Sequence, residues 1–286
     1  MVCLIKMTTK QIGFIFLSLL ASGAAIAAPK GLLPNCYTYA NLSAPNAPPT
    51  VELFVLIDQT TPLGSNLQQA AADIIKPFLK QGNAFSIIQF SAFTQGHYTD
   101  VLASERLSQL IEQKERNAIG KVQLAKFDKC MSVQGANAAK IAGAALRKAY
   151  AGTTSDMAKS DILFSLKDIS IMINRSDANE KVVLLVSDML ENSSITTFYA
   201  NRGVRKIDPA KEYSLVKSNN LLGDFGGARI YVMGAGLLSD DAKLAKGVYR
   251  DPKTMLVLQQ FWKNYFQNAN GELIEFGQPA LLNPVQ

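Results

Sequence analysis

The sequence predicts an α/β domain with a doubly wound, mostly parallel sheet and helices on both faces. Three observations predict it. Short, nearly continuous apolar runs recur along the chain, as in strands covered on both sides. Amphipathic stretches of helical period separate them. Two of the apolar runs, "VELFVLID" and "KVVLLVSD", end on an aspartate, Asp58 and Asp188. Alternation of this kind favours one sheet with right-handed crossovers over separate α and β units.

The first 27 residues stand outside the fold. Lys6 and Lys10 precede the apolar run 12–20, and Ala25-Ile26-Ala27 is a small-x-small cleavage signal. This is a secretory signal peptide cut after Ala27, with a retained anchor as the alternative. The expected location is therefore periplasmic or secreted, with no stable membrane anchor after cleavage. Residues 28–50 are rich in Pro, Asn and Ala and read as an extended arm. A single domain is expected over 51–286, with an insertion at about 97–150.

The elements follow in order. Residues 51–57 form a strand. Residues 65–82 form a helix whose stripe is Leu67, Ala70, Ala71, Ile74, Ile75, Phe78 and Leu79. Pro77 disturbs its end and Gly82 closes it. A second strand covers 84–92. The segment 97–150 reads as an insertion: a helix over 101–117, an unassigned stretch, and a helix over 137–152. Further helices are predicted over 159–175 and 251–271, and strands over 181–189, 228–236 and 272–277.

The chain has 286 residues, 48% hydrophobic and 18% charged, an ordinary globular composition. The net charge is +6, falling to about +4 when Lys6 and Lys10 leave with the signal. So mild a balance does not argue for nucleic acid. The cluster Arg202, Arg205, Lys206 and Lys211 reads as a solvated loop. Cys3 is lost with the signal, so Cys36 and Cys130 remain as one pair, expected to bridge in an oxidising compartment.

Ligands of open α/β sheets bind beyond the carboxyl ends of the strands. Asp58 and Asp188 sit at such ends, and the polar loop 151–161 supplies Thr153, Thr154 and Ser155. Carboxylates with hydroxyls suit a hard divalent cation. The strand with "DQTTP", the "GTT" loop before a helix and the strand with "SD" resemble the von Willebrand factor A (vWA) domain, a Rossmann-type fold, over about residues 51 to 277. Its metal-ion-dependent adhesion site uses a D-x-S/T-x-S loop, a separate threonine and a separate aspartate. The resemblance implies Asp58 and Thr60 for the first loop, Thr153 or Thr154 for the second, and Asp188 for the third. It implies Mg²⁺, with Mn²⁺ or Ca²⁺ as alternatives. Two departures stand out: Pro62 falls where the last hydroxyl is expected, and Met189 falls where glycine is common. The other reading is a degenerate site without a cation, in which the two acids steady their own turns through backbone hydrogen bonds.

The expected function is a protein-binding module that meets a partner in the cell envelope or outside the cell through its strand-end loops. A structural component of an envelope assembly is the alternative. A metal-dependent phosphoester hydrolase has less support, because no set of acids or histidines for water activation is visible. The single histidine, His97, has no nucleophile motif beside it. The glycines of "MGAG" (233–236) lack the Lys-Ser/Thr ending of a phosphate loop and read as a tight turn.

Overall fold

The computed structural model describes residues 32–91, 99–154, 160–200, 203–238 and 251–286. The predicted signal peptide, His97 and Ser155 lie outside these residues. The elements, in order, are α1 (Cys36–Tyr39), β1 (Val51–Asp58), α2 (Ser65–Ile75), β2 (Ala84–Phe90), β3 (Thr99–Arg106), α3 (Gln113–Arg116) and α4 (Lys121–Ala151). They continue with α5 (Ile162–Arg175), β4 (Glu180–Val186), β5 (Tyr199–Ala200), β6 (Gly203–Val204), α6 (Pro209–Ser218), β7 (Ala228–Met233), α7 (Pro252–Asn268) and β8 (Gly271–Phe276).

Six strands form one sheet in the order β3-β2-β1-β4-β7-β8, with only β3 antiparallel to its neighbour. The chain winds outward from β1 in both directions, so the sheet is doubly wound. β1 is buried on both faces from Leu53 to Asp58, as its unbroken apolar run requires. Phe54 and Leu56 pack in one core with Leu166, Ile169, Trp262 and Phe266, beneath α5 and α7. Leu53, Val55 and Ile57 pack in the other with Ala71, Ile75, Ala142 and Leu146, beneath α2 and α4. α2 tightens into a 3-10 turn at Lys76–Phe78, where Pro77 stands, and Gly82 turns the chain at φ +79°.

Three expectations are corrected. The helix predicted over 101–117 is replaced by the edge strand β3 and the short α3. Val101, Ala103 and Glu105 are buried and alternate with partly exposed neighbours, and a register shift against β2 puts Val101 in the core under α5 and α7 and Ala103 in the other. The buried acid breaks the apolar rhythm that would have betrayed the strand. Glu105 is satisfied by the backbone N–H groups of Leu32 and Leu33, at 2.6 and 2.9 Å. The unassigned stretch after it belongs to α4, a continuous helix of 31 residues. Residues 99–151 thus supply the sheet edge and a covering helix. Finally, part of the basic cluster is not a free loop. Lys211 lies in α6, which Asp208 caps and Pro209 begins, and Arg205 reaches the buried Glu212 at 2.6 Å.

The segment ahead of β1 contains the turn α1, whose Cys36 is bonded to Cys130 of α4. Tyr37, Ala40, Ile111, Phe127 and Met131 surround the bridge in a small satellite core. Asn35 caps α1 through Tyr37 N and Thr38 N.

Candidate functional site

The sheet order reverses at β1, so the crevice lies where the ends of β1 and β4 diverge into loops. Asp58 is fully buried there and Asp188 is 3% exposed. The first loop folds back on its own acid: Asp58 Oδ1 accepts from Thr60 N at 2.8 Å and from Thr60 Oγ1 at 2.6 Å. Asp58 Oδ2 accepts from Ser187 Oγ at 2.7 Å. Thr61 joins the two loops, its Oγ1 accepting Asp188 N–H at 3.1 Å. Asp188 Oδ1 accepts from Leu190 N at 2.8 Å, and Oδ2 accepts from the phenol of Tyr199. The two acids that the sequence sets 130 positions apart therefore share one hydrogen-bonded rim.

The hydroxyls divide unequally. Thr60 Oγ1 also contacts Ser160 Oγ at 3.0 Å. Ser160 is placed by a two-way backbone bridge to Asn192. Thr153, by contrast, turns its hydroxyl to the carbonyl of Tyr150 at 2.8 Å and so caps its own helix. Thr154 is held to the first loop through its backbone, N–H to Gln59 O at 2.9 Å. Pro62 supplies no side-chain oxygen, and Ser65 is exposed at the start of α2.

Electrostatics follow from burial. Desolvation raises the carboxyl of Asp58, opposed by its bonds from Thr60 and Ser187. Asp188 is held well above the usual carboxylate range, first by burial and then by the charge of Asp58. Burial, with Asp188 next to it, also raises the Tyr199 phenol. Neither acid forms an ion pair among the described residues. The two buried acids lie near enough for the charge of Asp58 to raise Asp188, so burial and proximity both favour a proton on the pair at low pH. The donors are all oxygens, the chemistry of a hard divalent cation. Only two acids and the Thr60 hydroxyl would be available to such an ion: no group of three or more His, Cys, Asp or Glu side chains stands together among the described residues, and Tyr199 occupies the outer side of Asp188.

Supporting residues hold these loops. Met189 adopts φ +60°, the left-handed region where glycine is ordinarily favoured, while its side chain is fully buried. Its carbonyl accepts Trp262 Nε1–H at 2.9 Å, which seats the fully buried indole beneath the rim. Gly234 and Gly236 take positive φ and turn the chain after β7, bringing Gly236 N to Asp188 O at 2.8 Å. Gln59 ties three elements together: its N to Phe90 O at 2.8 Å, its O to Thr154 N, and its Nε2 to Ala149 O at 3.1 Å. A Cβ on Gly152 would lie 2.5 Å from Gln59 Oε1. Gly152→Ala should therefore lower stability by about 1–2 kcal/mol in chemical denaturation, by displacing a buried amide from its partner.

Sequence reasoning identified Asp58, Thr60 and Asp188, and the structure brings these together. It weighed Thr61 only as a substitute for the hydroxyl absent at Pro62, and it missed Ser187, Ser160, Gln59 and Tyr199. Ser187 and Thr61 stand beside the acids in the motifs themselves. Tyr199 lies in a two-residue strand with no local signal.

Glu191 adds a titrating group below the rim. Its carboxylate accepts from Leu163 N at 3.0 Å at the start of α5, and burial pushes its pKa up to about 8. A carboxyl raised in the folded state favours folding while protonated. Its contribution is complete below the ordinary value of 4.5 and is lost as pH rises toward 8. The unfolding free energy should fall by roughly 3 kcal/mol between about pH 5 and 7.5 from this group. Glu191→Gln keeps an acceptor and should flatten that part of the denaturation profile.

No family model matches the chain, and no curated protein matches it. Among solved structures, the pilus adhesin SpaC from Lactobacillus rhamnosus GG aligns over 82% of this chain and 28% of its own, with 14% identity and a TM-score of 0.36. The SpRpn10 VWA domain aligns over 82% of this chain and 91% of its own, with 11% identity and a TM-score of 0.34. The three N-terminal domains of Mfa5 from Porphyromonas gingivalis align over 49% of this chain and 20% of their own, with 14% identity and a TM-score of 0.29. The chain thus spans only a minor share of the SpaC and Mfa5 structures. The fold is vWA-like, and its own strand order and strand-end acids are what define it.

Proposed function

We propose that the chain is an exported protein-binding module that meets a partner protein through the loops following β1, β4 and β7. In this reading Asp58 and Asp188, with the Thr60 hydroxyl, hold Mg²⁺, and Mn²⁺ or Ca²⁺ are the alternatives. The observation that carries the proposal is the buried pair Asp58 and Asp188, joined on one rim through Thr61 and Ser187, with no ion pair to either among the described residues. A cation held there would offset the charge of the pair and would supply Lewis acidity for a carboxylate of the partner. The residues of this chain do the rest. Thr60 and Ser187 orient Asp58, Leu190 N and Tyr199 orient Asp188, and Thr61 fixes the separation of the loops. An exported setting is supported by the signal-like first 27 residues and by the Cys36–Cys130 bridge.

Thermal melting tests the cation. The midpoint should rise with Mg²⁺ concentration after EDTA treatment, because an ion that binds only the folded state stabilises it by mass action. A midpoint unmoved by millimolar Mg²⁺, Mn²⁺ and Ca²⁺ would assign the pair to protons and hydrogen bonds alone. The partner is tested by affinity capture from the envelope fraction. Variants in the loops after β1 and β4 should lose what the native chain retains, and full retention would remove this face as the binding surface.

A further inference from the structure

The solvent face of α4 carries nearly all of the chain's positive excess. The whole chain has a net charge of +6, and this one helix holds Lys121, Lys126, Lys129, Lys140, Arg147 and Lys148 against the single Asp128. That acid is already taken, bonded by both guanidinium nitrogens of Arg116 at 3.0 and 2.7 Å. Lys148 lies 3.8 Å from Asp100. Lys126, Lys129, Lys140 and Arg147 have no ion pair among the described residues.

The arrangement is ordered as well as basic. Val122, Lys126, Lys129, Val133, Lys140 and Arg147 are all exposed and recur at helical spacing, so they form one stripe. At 1.5 Å per residue the stripe is about 38 Å long. It is not purely polar: Val122 is 71% exposed and Val133 49%. Near the start of the helix, Val122 and Ala125 lie with Lys121, Lys126 and Lys129 around a shallow depression of about 410 Å³. The opposite face of the helix is fixed to the fold by Phe127, Cys130, Ala138, Ala142 and Ala149, so the stripe is presented rigidly.

We propose that this face of α4 docks on an anionic phospholipid surface. Long, unpaired cations suit the phosphodiester groups of lipid heads. Exposed valines between them can enter the headgroup layer while the lysine stems extend toward the phosphates. An acidic protein is the competing occupant, and the vesicle test separates the two. The association is peripheral, and it uses a surface other than the strand-end loops, so it stands apart from the proposed partner binding.

Vesicle flotation tests the proposal with the purified full chain. The two lipid mixtures are phosphatidylcholine alone and phosphatidylcholine with about 30% phosphatidylglycerol. Residues 1–31 are common to every variant, so differences between variants report α4. The native chain should partition more strongly to the anionic vesicles, and the difference should collapse between 0.1 and 0.5 M salt as screening shortens. Each basic residue near such a surface multiplies partitioning about fivefold. Lys126→Ala with Lys129→Ala should therefore reduce it about 25-fold without moving the melting midpoint, since both side chains are exposed. Val122→Ser with Val133→Ser should also weaken binding at unchanged charge. Equal partitioning to the two mixtures, or an alanine pair within twofold of native, would overturn the proposal. A serine pair that binds as the native chain does would overturn the entry of the valines into the headgroup layer.

Discussion

Asp58→Ala should destabilise the folded chain by about 4 kcal/mol and abolish any response to divalent ions. The size follows from the donors it abandons. Thr60 N, Thr60 Oγ1 and Ser187 Oγ all lose their acceptor. A buried donor left unsatisfied costs about 1–3 kcal/mol. Ser187 Oγ also receives Met189 N–H at 3.0 Å, so its reorientation disturbs the loop that carries Asp188. Part of the loss is offset, because removing the charge of Asp58 relieves the repulsion that helps hold the carboxyl of Asp188 high. Asp58→Asn separates the two roles. Its amide oxygen can still accept from Thr60, while the charge is gone, so it should keep most of the stability and lose the cation response. Urea denaturation with and without Mg²⁺ reads both quantities. Equal stability of Asp58→Ala and the native chain would refute the network as drawn.

Opening the Cys36–Cys130 bridge should be as severe. The bond closes a loop with a sequence separation of 94, for which chain entropy alone gives about 4–5 kcal/mol. Paired serine replacements should lower the unfolding free energy by that amount. The satellite core gives the change a local signature, because Tyr37 and Phe127 meet edge to face at 4.9 Å beside the bridge. Their near-ultraviolet signal should weaken in the variant before the sheet melts. The strand-end rim lies at the other end of α4, so cation response should survive at temperatures where the variant remains folded.

Much of the fold was legible because burial leaves plain marks. β1, β4 and β7 are covered on both faces and read as unbroken apolar runs. α2, α5 and α7 bury one side and read at helical period. β3 was hidden because its inward position 105 is a glutamate whose partners are backbone groups from residues 32 and 33, far away in sequence. α6 carried its own signal, an aspartate cap followed by proline, but the basic residues before and within it suggested a loop. At the site, the acids were legible because a carboxylate closing an apolar strand is unusual. Tyr199 was not, since a phenol becomes part of a rim only when the small β5–β6 hairpin folds over it. Motif spacing offered Thr153 or Thr154, and spacing alone cannot tell a hydroxyl directed at the rim from one that, like that of Thr153, bonds its own helix.

The covalent tie also decides where mechanical load would travel. The chain before residue 36 is bonded directly to the side of a long, well-packed helix. Tension on that end passes through sulfur into α4 and is spread along its length, without peeling β1 from the middle of the sheet. The rim at Asp58 hangs from β1 and would keep its shape under a pull that an unbridged tether would deliver straight to its strand.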